Sequence, residues 1–199
     1  MINDYPLIMV LWNLFLAILP FGFFWLLKKY WQANKFKTIK NKVFAATLFC
    51  FWVLFIPNAA YLINDIRHLE NFCPTGSAID VCPDSAWQIM FFFIYGATGW
   101  VLLFVLLKKM ADFIKVILNK KVAIIFLVII IPFISLGVLL GLLDRFNSWD
   151  IFVNPLAIFK NMLRYITDWD YFIDFIVFTS GFYLLYFGGN SIFKAKKGK

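Results

Sequence analysis

Five apolar runs, at residues 7–27, 43–63, 86–107, 122–143 and 171–187, alternate with short polar stretches along this chain. Coiled as helices at about 1.5 Å per residue, each is long enough to cross a hydrocarbon core about 30 Å thick, the last only just. The polar stretches alternate in charge. Residues 28–42 carry six lysines, residues 108–121 carry five, and the tail after the fifth run carries Lys194, Lys196, Lys197 and Lys199. Every second connection is therefore basic, as the positive-inside rule requires of five spans with the N-terminus outside and the C-terminus in the cytoplasm. The pattern predicts an all-α, polytopic transmembrane helix bundle, a single integral membrane domain over residues 1–199.

One connection has a helical pattern of its own. Between residues 144 and 170, Asn154 and Pro155 suit an N-cap and first helical position. Phe152, Leu156, Phe159, Leu163 and Ile166 then recur on one face, with Lys160, Asn161 and Arg164 towards the other. This predicts an amphipathic helix over Pro155–Thr167 on the outer surface, lying in the interface or packed on the bundle. No repeat or low-complexity segment interrupts the chain, and the loops are too short to fold alone.

Composition excludes an ordinary soluble domain. Of 199 residues, 63% are hydrophobic and 21% aromatic, with a mean hydropathy of +0.81. The formal charge of +8 would suit a polyanion, but fifteen of the nineteen basic residues sit in the three juxtamembrane patches, with one acid, Asp112. That distribution points to the headgroups of a lipid bilayer and away from nucleic acid. The first run lacks a basic leading region and is followed by lysines, so it reads as a retained span rather than a cleaved signal. Cys73 and Cys82 share the outer loop between spans two and three, where a disulfide is permitted, with two free thiols as the alternative. Cys50 sits within span two.

Chemistry gathers at the outer end of span two. Pro57 breaks the helical hydrogen bonding there. At about 100° per residue, Tyr61, Asp65 and His68 fall within about 80° of Asn58, with Arg67 roughly opposite. An unpaired amide is costly in hydrocarbon, so this stripe should face protein or water. On span three, Asp84, Gln88, Tyr95 and Thr98 share a face suited to interhelical hydrogen bonds, and Gly96 and Gly99 allow a close neighbour. Asn13 and Asp174 add polar groups from spans one and five. After span four comes Arg145-Phe146-Asn147-Ser148-Trp149-Asp150, and Gly137 and Gly141 form a small-residue pair that suits packing within the bundle. Ser148 reads as a weak nucleophile candidate or a helix cap. Trp149 and Trp169 read as interface anchors.

The stretch Pro57-Asn58-Ala59-Ala60-Tyr61-Leu62 with Asp65 and His68-Leu69, followed by Arg145-Phe146-Asn147-Ser148-Trp149-Asp150, resembles an uncharacterised bacterial family of small multi-pass membrane proteins. The resemblance runs from span two to span five and implies a bacterial plasma-membrane protein. Ala60 stands where many members would have proline. The family carries no assigned reaction, so the resemblance supports the site without naming its chemistry.

Three readings follow for the site formed by Asn58, Tyr61, Asp65, His68, Asp84, Arg145, Asn147 and Asp150. The first is an outward-facing acidic vestibule that binds a cation or a lipid headgroup. The second is an outer-leaflet enzyme that modifies lipid or handles phosphate. Its cofactor would be a divalent cation on Asp65 and Asp150 with Asn58 and Asn147, because one histidine cannot complete a zinc site. The third is a structural or assembly role, with Asp65 and His68 locking span two against Asn147 and Asp150.

Overall fold

The computed structural model describes residues 7–72 and 86–195. Cys73, Cys82 and Asp84 lie outside the described residues. Helix α1 spans Leu7–Asn34, α2 Ile39–Phe55 and α3 Pro57–Asn64, with a 3-10 segment at Asp65–Phe72. Then follow α4 (Ala86–Ile117), α5 (Lys120–Leu142), α6 (Asp150–Val153), α7 (Pro155–Thr167) and α8 (Trp169–Ala195). Five stretches are long and apolar enough to cross a membrane: α1, α2 continued through α3 into the 3-10 segment, α4, α5 and α8. The expected all-α polytopic bundle is the architecture observed, with no strand among the described residues.

Local chemistry sets the boundaries. Between α1 and α2 the chain reverses through Lys35 and Phe36, both with positive φ. Thr38 then caps α2, its hydroxyl accepting from the Asn41 N–H at 3.3 Å. Asn119 caps α5 in the same way, accepting from Val122 N–H at 2.9 Å. These caps satisfy N–H groups that have no helical partner. The lysine-bearing turns lie at one end of the bundle. The 3-10 segment and the α5–α8 connection lie at the other.

Helix α3 is the centre of the assembly and packs on α1, α4 and α5. Its approach to α4 depends on Gly99, where an added Cβ would lie 2.8 Å from the Ala59 carbonyl. On the opposite side Pro57 sits over Gly137 of α5, and the Tyr61 ring over Gly141. Both glycine pairs named from sequence thus mediate packing within the bundle. Around this contact Trp52, Ile56, Leu62, Phe92, Leu107, Met110, Ile131 and Val138 are fully buried. Side chains also bond across helices where lipid offers no water: Trp100 Nε1 donates to the Leu185 carbonyl (3.0 Å) and Tyr183 to the Val128 carbonyl (2.7 Å).

The amphipathic helix appears as α7 with the expected bounds, and Asn154 caps it by accepting from Ala157 N–H at 3.4 Å. It does two things at once. Ile158 and Tyr165 are buried against α5 and α8, while Leu156, Phe159, Leu163 and Ile166 stay exposed. At this junction Asp144 accepts from Arg164 and, at 2.9 Å, from the Tyr165 hydroxyl. Tyr165 also donates to the Leu139 carbonyl at 3.3 Å. Burial first, then the hydrogen bond and negative charge of Asp144, raise the Tyr165 phenol well above its ordinary pKa.

Candidate functional site

A cavity of about 600 Å3 opens at the end of the bundle opposite the lysine turns. It is bounded by α1, the α2–α3 segment, α5, the α5–α6 loop and α7. Its deeper wall is apolar, built from side chains such as Leu16, Val53, Leu54, Leu136 and Leu140. The other end carries Asn13, Asn58, Tyr61, Asp65, Arg67, His68, Arg145, Asn147 and Ser148. An apolar body with a few convergent polar groups is the general form of a ligand site.

Pro57 creates the first polar feature. It cannot continue the hydrogen bonding of α2, so α2 stops at Phe55 and α3 begins after Ile56. Asn58 satisfies the exposed backbone, its amide donating to the Phe55 carbonyl at 2.9 Å and to Ser148 Oγ at 2.9 Å. The α5–α6 loop is thereby tied to the break in span two. Ser148 is an acceptor in this tie; Trp149, not Ser148, occupies the N-cap of α6.

Asp65 is buried. Its Oδ2 accepts from Asn13 at 3.3 Å, and its Oδ1 lies 3.9 Å from His68 Nε2. Arg67 departs from the expectation. Instead of projecting away from the stripe, its Nη2 donates to the Tyr61 hydroxyl at 2.8 Å and its Nη1 to the Leu142 carbonyl at 3.4 Å. The reason is the switch to a 3-10 segment at Asp65. Tightening from about 100° to about 120° per residue over two residues swings Arg67 about 40° back towards Tyr61.

Arg145 enters from the other side of the cavity. It holds a left-handed backbone, φ 62°, while the Phe146 N–H reaches back to the Leu140 carbonyl at 3.1 Å. Such a conformation costs a non-glycine residue roughly 1–2 kcal/mol, and here it turns the loop over the end of α5. Among the described residues, neither Arg67 nor Arg145 has a carboxylate within ion-pairing distance; the Arg–carboxylate pair present is Arg164–Asp144.

The structure therefore brings Asn58, Tyr61, Asp65, His68, Arg145 and Asn147 to one cavity. Asp150 is turned elsewhere, its carboxylate accepting from the Asn147 backbone N–H at 2.6 Å. Span two is held to the loop through Asn58–Ser148 rather than through Asn147 and Asp150. Among the described residues, the vestibule expected to be acidic has a single carboxylate in its lining, Asp65, against two guanidinium groups. Among the described residues no three His, Cys, Asp or Glu side chains form a metal-binding group. On α4, Gln88 and Tyr95 are buried, and Tyr95 donates to the Val10 carbonyl at 3.4 Å. Thr98 makes no interhelical bond; it is exposed and donates to the Ile94 carbonyl of its own helix. Asp174 is exposed and does not line the cavity. Sequence reasoning missed Arg67, and it missed the pairing of Trp12 with Trp149, whose ring centroids lie 6.3 Å apart. A basic residue at a helix end, two positions past the stripe's carboxylate, was the available signal for Arg67.

A family model described as a protein of unknown function (DUF1361) matches residues 12–186, and the chain belongs to that family. No curated protein and no solved structure matches it.

Proposed function

We propose that this multi-pass membrane protein of the DUF1361 family binds an anionic, phosphate-class lipid headgroup in the cavity between Arg67 and Arg145. One observation carries the reading: among the described residues, two guanidinium groups without carboxylate partners line a cavity whose one carboxylate, Asp65, accepts from Asn13. Guanidinium matches the planar, bidentate geometry of phosphate and carboxylate oxygens. Asn58, Asn147 and the Tyr61 hydroxyl supply neutral polar contacts beside it. The charge balance of the described lining argues against a cation or a cationic headgroup as the occupant. With the lysine turns oriented to the cytoplasm by the positive-inside rule, the cavity opens at the outer leaflet.

Thermal-shift titration of purified protein tests this with phosphatidic acid, diacylglycerol and a panel of divalent cations. Phosphatidic acid should stabilise the wild type and diacylglycerol should not. Charged hydrogen bonds contribute roughly 1.5–3 kcal/mol each, so Arg145→Gln should weaken phosphatidic acid binding by about tenfold or more. A divalent-cation shift that survives Arg145→Gln, with no response to phosphatidic acid, would refute the reading.

A further inference from the structure

We infer that the occupant of this cavity is a membrane-borne amphiphile whose hydrocarbon chain lies in the apolar slot between α1 and α5, entering sideways from the bilayer. The inference rests on the headgroup reading above and adds the substrate class and the route. Three observations support it.

First, the cavity continues well below its polar end. It is lined from Tyr61 down to Val53 on the α3–α2 side and from Gly141 down to Phe133 on α5. Eight residues of helix on either wall correspond to roughly 12 Å of depth, and a free phosphate would leave that depth unfilled. Second, the deeper lining is hydrocarbon in character, with Leu16 from α1, Val53 and Leu54 from α2 and Leu136 from α5. Third, the rim is apolar and open. Met9, Trp12, Phe133 and Trp149 line the cavity yet remain 48%, 46%, 40% and 38% exposed. Phe133 lies in the middle of a membrane span, so the opening beside it meets lipid tails rather than water. The packing agrees: the main partners of α1 are α2, α3 and α4, and those of α5 are α3, α4, α7 and α8. The gap between α1 and α5 is spanned near its polar end by the edge-on contact of Trp12 with Trp149. Two amphipathic indoles at headgroup depth frame an entrance through which a polar head can pass while its tail stays in hydrocarbon.

The test is a chain-length series read by native mass spectrometry on the full chain. The probes are glycerol 3-phosphate, its butanoyl, octanoyl and palmitoyl monoesters, and monopalmitoylglycerol, which lacks the phosphate. Affinity should rise about tenfold or more from glycerol 3-phosphate to the palmitoyl ester as apolar surface is buried. Leu54→Trp, which fills the slot below the arginines, should flatten that rise. Equal affinity for glycerol 3-phosphate and its acyl esters would overturn the lateral-slot inference and leave the headgroup reading standing. Equal affinity for monopalmitoylglycerol and the palmitoyl phosphate ester would keep the slot and overturn the headgroup reading. A chain-length gain undiminished in a folded Leu54→Trp protein would place the chain outside the slot and overturn the inference. Should that variant fail to fold, the wild-type series alone decides, since it needs no substitution.

Discussion

Replacing Gly99 with alanine places a methyl group where α4 meets α3. The added carbon would fall 2.7 Å from the Leu62 Cβ and 2.8 Å from the Ala59 carbonyl oxygen. Both distances are below any ordinary contact, so α3 would have to retreat by several tenths of an ångström. It has little room to do so, because Pro57 already presses on Gly137 of α5 from the other side. Overpacking of this kind costs about 1–3 kcal/mol. Alanine also improves helix propensity over glycine by up to about 1 kcal/mol, and a control is needed to remove that gain. Gly96 supplies it. One turn away on the same helix, its added Cβ would meet Ile63 at 3.6 Å, an ordinary van der Waals distance. The two variants share the propensity gain, so their difference isolates the clash. At about 2–4 °C per kcal/mol for a chain of this size, Gly99→Ala should melt roughly 2–12 °C below Gly96→Ala. Thermal unfolding of both proteins in the same detergent, followed by tryptophan fluorescence, measures it. Indistinguishable melting temperatures would refute the claim that α3 is clamped between α4 and α5.

Tyr165→Phe removes the one hydroxyl donor that Asp144 and the Leu139 carbonyl share in a buried position, at a cost of about 1–3 kcal/mol. It should also change the alkaline limb of stability. A phenol whose folded pKa lies above the unfolded value of 10 stabilises the fold below pH 10 and loses that contribution as pH rises towards the folded pKa. Melting temperatures followed from neutral pH to above pH 10 should therefore fall less steeply in Tyr165→Phe; a parallel fall in both proteins would count against the assignment. Asn154→Ala deletes the cap of α7 and should destabilise by roughly 0.5–1 kcal/mol, visible as a slightly lower melting temperature. An unchanged melting temperature would mean that packing of Ile158 and Tyr165 holds α7 without its cap.

Features that depend on distance along the chain were legible from residues alone. A span is a length of apolar chain set against a bilayer thickness, so five spans could be counted without knowing how they meet. The start of α7 was legible at Asn154 and Pro155 because capping involves only a few consecutive residues. Gly96, Gly99, Gly137 and Gly141 were recognisable as places of close approach, but their partners were not, since a missing side chain does not say what fills the space. The stripe Asn58, Tyr61, Asp65 and His68 survived because α3 keeps the helical period through most of it. Arg67 did not survive as placed, because the period tightens at Asp65 and moves it to the face of Tyr61. The left-handed turn that carries Arg145, the bond from Asn58 to Ser148 ninety positions later, and the apolar gap between α1 and α5 were decided only by tertiary structure. Each depends on how helices distant in sequence pack against one another, and no local pattern encodes that choice.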